Sequence, residues 1–280
     1  MTKIKFGTDG WRAIIAQEFT VENVARVTEA TAVWLKKNFE NPTVVLGHDC
    51  RFAGELFAHT AAKVLVSHNI KVFLAKDFVS TPMISLGTVR HKASVGIIIT
   101  ASHNPPSYNG FKLKGYYGGP LGPEKVQEIE DIIPEKANQN FEAVDLKAAE
   151  AKGLVEITAL EDMYVKHVEA NFDVAAIKKN KFKIVVDAIN SSGAIAVPAL
   201  LRALGVKDIV VINDEPNGKF AHNPEPLPQH LSQLCNEVNK QNASLGIAVD
   251  PDVDRLCFVC EDGSLFGEEY TLVAIADYYL

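Results

Sequence analysis

The sequence predicts an α/β fold, built as two consecutive domains with mixed, mostly parallel sheets flanked by helices. Three observations predict it. Short β-branched runs alternate with apolar stripes at helical spacing. The alternation halts in a polar middle and then restarts. One run, Ser94 to Thr100, is apolar almost throughout, as a strand covered on both faces of a parallel sheet has to be. The length of 280 residues also fits two domains of roughly 150 residues each.

The elements follow in order. Thr20 caps a helix with an inward stripe of Val21, Val24, Ala25, Thr28, Ala32 and Leu35, and Asn41-Pro42 breaks it. Thr43 to Gly47 is a strand. Ala53 to Ser67 is a helix with Leu56, Ala61, Val64 and Leu65 turned inward. Lys71 to Leu74 is a second strand. Thr81-Pro82 then opens another helix, with proline in the first turn where it is tolerated. The Ser94 to Thr100 strand comes next, followed by a Gly/Pro-rich loop over Gly115 to Pro123 and a short amphipathic helix over Glu124 to Ile133. Asn138 to Gly153 is polar and aperiodic, which places a boundary there: a first domain over residues 1–150 and a second over 151–262. In the second domain, strands are expected at Phe182 to Asp187, Asp208 to Ile212, Leu245 to Val249 and Leu256 to Cys260. Helices are expected at Ala194 to Leu204 and Leu227 to Asn239.

Composition excludes several classes of function. With 28 basic and 35 acidic residues the net charge is −7, and no basic run is present. Neither nucleic acid nor an anionic membrane surface is an expected partner. No apolar stretch reaches the ~18 residues of a membrane span. Met1 to Phe6 has no leader pattern, and four cysteines make no disulfide framework, which suits a reducing cytoplasm.

Three motifs can carry chemistry. Thr100-Ala101-Ser102-His103-Asn104-Pro105 follows the buried strand, and α/β sheets place their active sites at the carboxyl ends of parallel strands. Ser102 there can be a nucleophile or phosphate carrier with His103 beside it; a plain strand-ending turn is the alternative. Asp250-Pro251-Asp252-Val253-Asp254-Arg255 lies between two apolar strands. If this segment is extended, its three carboxylates point the same way. Each like-charge pair at ~5 Å then costs roughly 3 kcal/mol at an effective dielectric near 20. Arg255 is one positive charge against three, so a hard divalent cation, Mg²⁺ beside phosphate, fits better. An EF-hand loop is rejected because Arg255 stands where the turn glycine is required and the flanks are β-like. An aspartyl-phosphate chemistry with Asp250 as nucleophile stays open on this motif alone. In Phe6-Gly7-Thr8-Asp9-Gly10-Trp11-Arg12, the glycines let backbone approach a ligand and Arg12 can grip a phosphate; a simple N-terminal turn is the alternative.

Weaker signals accompany these. Asp49 and Arg51 can be a loop ion pair or can support a neighbouring site. Asn109-Gly110 reads as a hairpin turn that delivers Lys112 on a short strand beside Ser102, where a desolvated lysine can act as a base. Cys257 and Cys260 face opposite sides of a strand, which argues for packing rather than metal binding.

Taken together, the order Phe-Gly-Thr-Asp-Gly-Trp-Arg, then Thr-Ala-Ser-His-Asn-Pro-Pro-x-Tyr-Asn-Gly-Phe-Lys, then Asp-Pro-Asp-x-Asp-Arg resembles the α-D-phosphohexomutase superfamily, specifically its bacterial-type phosphoglucomutases and phosphomannomutases. Asn223-Pro224-Glu225-Pro226 resembles a further segment of that family. The resemblance implies interconversion of hexose 1-phosphate and 6-phosphate through a phosphoserine at Ser102 and a hexose 1,6-bisphosphate intermediate. It implies one Mg²⁺ held by Asp250, Asp252, Asp254 and a phosphoserine oxygen of Ser102. Arg12 and Arg255 would contact the transferring group, Lys112 would be the general base, and His103 would position the serine. The segment from Phe111 to Pro120, with Trp11, leans toward glucose or mannose rather than glucosamine phosphates. The family fold has four domains, so residues 263–280 are expected to start a truncated third. The chain is therefore expected to be an N-terminal piece with little activity alone, lacking the family's sugar- and phosphate-gripping loops.

Overall fold

The computed structural model describes residues 3–280; Met1 and Thr2, where the chain start was read for a leader, lie outside the described residues. The chain forms two compact units, one ending at Tyr164 and one beginning at Val165.

In the first unit the elements run β1 (Trp11–Ile14), α1 (Val21–Asn38), β2 (Thr43–His48), α2 (Gly54–Ser67), β3 (Lys71–Ala75), α3 (Thr81–Arg90), β4 (Val95–Ile99), β5 (Tyr108–Gly115), α4 (Pro123–Glu130), α5 (Leu146–Ala151), β6 (Val155–Thr158) and α6 (Leu160–Asn171), the last crossing into the second unit. The six strands form one sheet in the order β1-β5-β4-β2-β3-β6. The β4–β2–β3–β6 portion is parallel, and β5 and β1 are added antiparallel.

Local chemistry explains the elements. Thr20 accepts the Asn23 N–H and starts α1, and Ser80 accepts the Met83 N–H and starts α3 with Pro82 in its first turn. Successive strand residues face opposite sides. Val44, Leu46, Val72, Leu74, Ile97, Ile99, Phe111 and Leu113 therefore pack in one core with α1 and α2. Ile84 of α3 comes up to Gly47 and Gly96, which places α3 over these strands. Burying Val95, Ile97, Ile98 and Ile99, all fully enclosed, contributes ~1.5–3 kcal/mol per side chain and fixes β4 in mid-sheet. Val21 and Leu56, expected inward, are exposed because each lies on the outer edge of its helix stripe. The polar stretch from Asn138 to Gly153 lies within this unit. It holds a 3-10 turn and α5, and β6 beyond it pairs with β3.

The second unit holds α7 (Val174–Lys179), β7 (Lys183–Asp187), α8 (Gly193–Ala203), β8 (Asp208–Ile212), α9 (Ser232–Gln241), β9 (Leu245–Val249), β10 (Leu256–Cys260), β11 (Leu265–Phe266) and α10 (Glu268–Tyr279). Its sheet order is β11-β10-β9-β7-β8, with β7 parallel to both β8 and β9 and the rest antiparallel. Leu234 and Val238 of α9 pack on Val185, Ala248 and Val259, while Val197 and Leu201 of α8 pack on Ile184 and Val186. The helix expected from Leu227 divides, since Pro228 starts a 3-10 turn and α9 begins only at Ser232. Cys50, Cys235, Cys257 and Cys260 form no disulfide. Among the described residues no helix is long and apolar enough to cross a membrane.

Asn109-Gly110 is not a turn. Both residues lie inside β5, paired with Ala13 and Arg12 of β1. Gly110 is needed because a Cβ there would stand 2.4 Å from the Thr100 carbonyl oxygen and 2.9 Å from that of Trp11. Gly110→Ala is expected to cost about 1–3 kcal/mol in urea unfolding. Gly122→Ala, with nothing near its Cβ position, should stay within about 0.5 kcal/mol of wild type.

Candidate active site

In the first unit the candidate side chains gather around the carboxyl ends of β2 and β4. Ser102 lies just past β4 and is almost fully buried, with a left-handed φ of 51°. Its Oγ is 3.3 Å from His103 Nδ1. Its N–H donates to Thr100 Oγ1 at 3.0 Å, and the Thr100 hydroxyl in turn donates to Asp49 Oδ2 at 2.6 Å.

The N-terminal motif reaches this loop through β1. Arg12 donates from Nη1 to Asn104 Oδ1 at 2.9 Å and stands 3.8 Å from Asp9 Oδ2. Lys112 comes from β5, opposite Ile98 of β4, and is fully buried with Nζ 2.8 Å from Asp9 Oδ2. Lys114 Nζ lies 3.9 Å from Asp9 Oδ1. Gly10, at φ 99°, keeps this approach open, since a Cβ would stand 2.9 Å from Lys112 Cγ. Burial pushes the Asp9 carboxyl upward, but Lys112, Lys114 and Arg12 outweigh it and hold the group below the usual carboxylate range.

Asp9, Asn104 and Lys114 join this cluster although the sequence did not single them out. The signal was present for one of them. Lys112 and Lys114 share a face of a strand whose other face carries Phe111 and Leu113, and two lysines on one side of a buried strand need a counter-charge.

In the second unit, Asp250, Asp252 and Asp254 each offer an oxygen within 4.8 Å of the others. Their convergence does not come from an extended segment. The chain turns between β9 and β10, with the Val253 N–H donating to the Asp250 carbonyl and Val253 at φ 56°. Asp250 Oδ1 accepts the N–H groups of Asp254 and Arg255 at 3.0 and 3.1 Å, closing the turn around the carboxylate. Asp250 and Asp252 are fully buried. Burial above all, then the charges of Asp252 and Asp254, pushes the Asp250 carboxyl well above its usual range. The Arg255 guanidinium is directed to Glu225 of the Asn-Pro-Glu-Pro segment, at 2.9 Å. Two enclosed carboxylates and a third at the surface, all converging within one turn, fit a hard divalent ion with oxygen ligands.

The segment carrying Glu225 is held down by a half-buried clasp at the end of β7. Asp187 Oδ2 lies 2.9 Å from His222 Nε2, and Asp187 Oδ1 accepts the Ile189 N–H and the Asn213 amide.

Comparison with known proteins agrees with this geometry. Residues 3–140 match the family model for phosphoglucomutase/phosphomannomutase, alpha/beta/alpha domain I, and residues 162–263 match that for domain II. The chain is 35% identical over 277 residues to a phosphoglucomutase/phosphomannomutase of Thermococcus kodakarensis, covering 97% of this chain and 58% of the relative. It is 32% identical over 271 residues to a phosphoglucosamine mutase of Caldicellulosiruptor saccharolyticus, covering 97% and 59%. A crystal structure assigned as a phosphomannomutase from Thermus thermophilus superimposes with a TM-score of 0.89 at 32% identity, over 99% of this chain and 62% of that one. The chain belongs to the α-D-phosphohexomutase superfamily. It spans a little under three-fifths of the length of the curated relatives it matches.

The Asp187–His222 clasp predicts a pH dependence. The hydrogen bond from His222 to Asp187 is the largest influence and raises the imidazole above its ordinary value, against the opposing effect of burial. A raised histidine stabilises the fold fully below the unfolded-state value and loses that stabilisation as pH rises through the folded-state value. The difference in melting temperature between wild type and His222→Gln is therefore expected to be largest near pH 5.5 and to shrink toward pH 8.5. A difference that is flat with pH would refute the charged clasp.

Proposed function

We propose that this chain carries the phosphoserine and metal-binding residues of a phosphohexomutase that interconverts hexose 1-phosphate and hexose 6-phosphate. The single observation that carries this reading is the placement of Ser102 at the end of the central parallel strand. It stands in the same unit as Arg12, Lys112 and Lys114, three cations gathered on one carboxylate. A phosphoserine brings close to two negative charges, and such a gathering of cations receives them.

In the proposed transfer a sugar hydroxyl oxygen forms a new bond to phosphorus as the Ser102 Oγ–phosphorus bond breaks. The hydroxyl proton leaves, and the serine oxygen accepts one. The Lys112–Asp9 pair is the proposed proton-handling group, Arg12 the proposed grip on the phosphoryl oxygens, and His103 the proposed partner of the serine hydroxyl. Arg255 is a proposed phosphate contact; its pairing with Glu225 keeps it at the mouth of the metal turn. Asp250, Asp252 and Asp254 are the proposed holders of Mg²⁺. When bound, that ion supplies positive charge to offset the charge on the transferring group.

Glucose and mannose phosphates are the proposed substrates, on the strength of Trp11 and the Phe111 to Pro120 segment; matched relatives include both this type and glucosamine mutases. Residues 263–280 are proposed as the start of a further domain, a reading supported by the exposed Tyr270, Leu272, Val273, Ile275 and Tyr279 of α10. The rival aspartyl-phosphate reading is disfavoured by Asp250, which is enclosed and holds two backbone N–H groups on Oδ1.

Two measurements test the proposal. After incubation with glucose 1,6-bisphosphate, phosphopeptide mass spectrometry should find phosphate on Ser102 and none in Ser102→Ala. Alkali- and hydroxylamine-labile phosphate on Asp250 instead would establish the rival. In thermal unfolding, Mg²⁺ at a hundred times its Kd should stabilise wild type by about 2.7 kcal/mol and Asp252→Asn far less; equal stabilisation would remove the turn as the metal site.

A further inference from the structure

Arg51, read from the sequence only as half of a loop ion pair or as support for a neighbouring site, donates to four carbonyls of the serine loop. Its side chain and that of Asp49 are both fully enclosed. Nη1 donates to the carbonyls of Pro105 and Tyr108 at 2.8 and 3.0 Å. Nη2 donates to the carbonyls of Ser102 and Asn104. Nε faces Asp49 Oδ2 at 3.2 Å, and the Arg51 backbone N–H donates to Asp49 Oδ1 at 3.0 Å. The four Nη hydrogens are thus turned to four carbonyl oxygens, with Nε beside the Asp49 carboxylate, by one planar, forked group.

The network closes on Ser102 from both sides. From one side its N–H is held through the Thr100 hydroxyl, which itself ends on Asp49. From the other its carbonyl is held by Arg51, which also ends on Asp49. Ser102 sits at a left-handed φ that residues bearing a Cβ avoid, so something must over-determine that backbone. This grip falls on backbone groups of Ser102 and not on its hydroxyl. The backbone is therefore fixed by contacts separate from those that Oγ makes with a phosphoryl group.

We infer that Arg51 is a positioning residue for phosphoryl transfer: braced by Asp49, its guanidinium grips the carbonyls of Ser102, Asn104, Pro105 and Tyr108 and holds the serine backbone in its left-handed geometry. The inference rests on the reading of Ser102 as the phosphate carrier. A lysine cannot replace this arginine, since an ammonium has three donors and no planar fork.

The test follows the rate of Ser102 phosphorylation by glucose 1,6-bisphosphate in the whole chain, by intact mass, across donor concentration. A displaced reacting group loses its orientation, which costs on the order of 10²-fold in rate. Arg51→Lys is expected to lower the saturating rate by about that factor while the half-saturating donor concentration stays near wild type. Thr100→Val cuts only the N–H side of the grip and serves if Arg51→Lys does not fold; it should lower the same saturating rate by about tenfold, a partial loss of the same orientation. If phosphorylated wild type is matched in rate by these variants, or if the loss lies only in half-saturation, the inference is overturned and the phosphoserine reading stands. If wild type itself takes up no phosphate at Ser102, the phosphoserine reading fails and takes the inference with it.

Discussion

The parallel pairing of β2 with β4 is the interaction on which the first unit's site depends. It is an apolar seam, with Val44 to His48 in register with Val95 to Ile99, and β4 contributes no polar side chain to it. Because both strands end at the same level, the polar groups that follow them meet there: Asp49 and Arg51 after β2, Thr100 and Ser102 after β4. Parallel strands covered by helices leave polar chemistry no place except the carboxyl ends. The antiparallel addition of β5 then carries Lys112 alongside β4, and β1 beyond it carries Arg12. Backbone pairing thus delivers four separated parts of the sequence to one place without any long loop.

The second unit uses the same rule with a different ending. Its parallel strand β9 also stops at a polar cluster, and the chain reverses into the antiparallel β10 as β4 reverses into β5, but through a shorter connection. The reversal is tight enough that Asp250 must use one carboxylate oxygen to hold the amides of Asp254 and Arg255. The turn and the acidic cluster are therefore one object. Changing the spacing of the aspartates would undo the turn as well as the ligand set.

Much of this was legible in the residues. The strands β2, β3, β4, β8, β9 and β10 coincide closely with apolar β-branched runs, because strand burial leaves a mark in composition. The positions of Ser102, Lys112 and the three aspartates in the fold were also legible, since they stand at strand ends or on a buried strand. What was not legible has identifiable causes. Asn109-Gly110 carries the local signature of a hairpin, but here the glycine answers a long-range need, room for the Thr100 and Trp11 carbonyls. The aspartates converge through a left-handed Val253 that no propensity foretells. Arg255 was matched to its sequence neighbours, whereas Glu225, thirty residues back in a loop pinned by Asp187 and His222, reaches it first. Helices α6 and α7 have few buried side chains and so left a weak stripe. Asp9 was passed over because its partners are on β5, far along the chain, and only the fold brings them together.

The two clusters crowd charge of opposite signs. Around Asp9, one carboxylate is shared by Lys112, Lys114 and Arg12, and two of those cations are almost fully enclosed. At the β9–β10 turn, three carboxylates stand together, two of them enclosed, while the Arg255 guanidinium is directed to Glu225. Enclosed charge of one sign is costly unless a partner arrives. A fold selected for stability alone would have replaced at least one lysine and one aspartate with apolar residues of similar size, at little loss or some gain. Crowding of this kind is relieved most directly by charge brought from outside the chain. An anion of about two charges suits the first cluster and a small divalent cation suits the second, which are the phosphoryl group and the metal ion that the proposed chemistry brings.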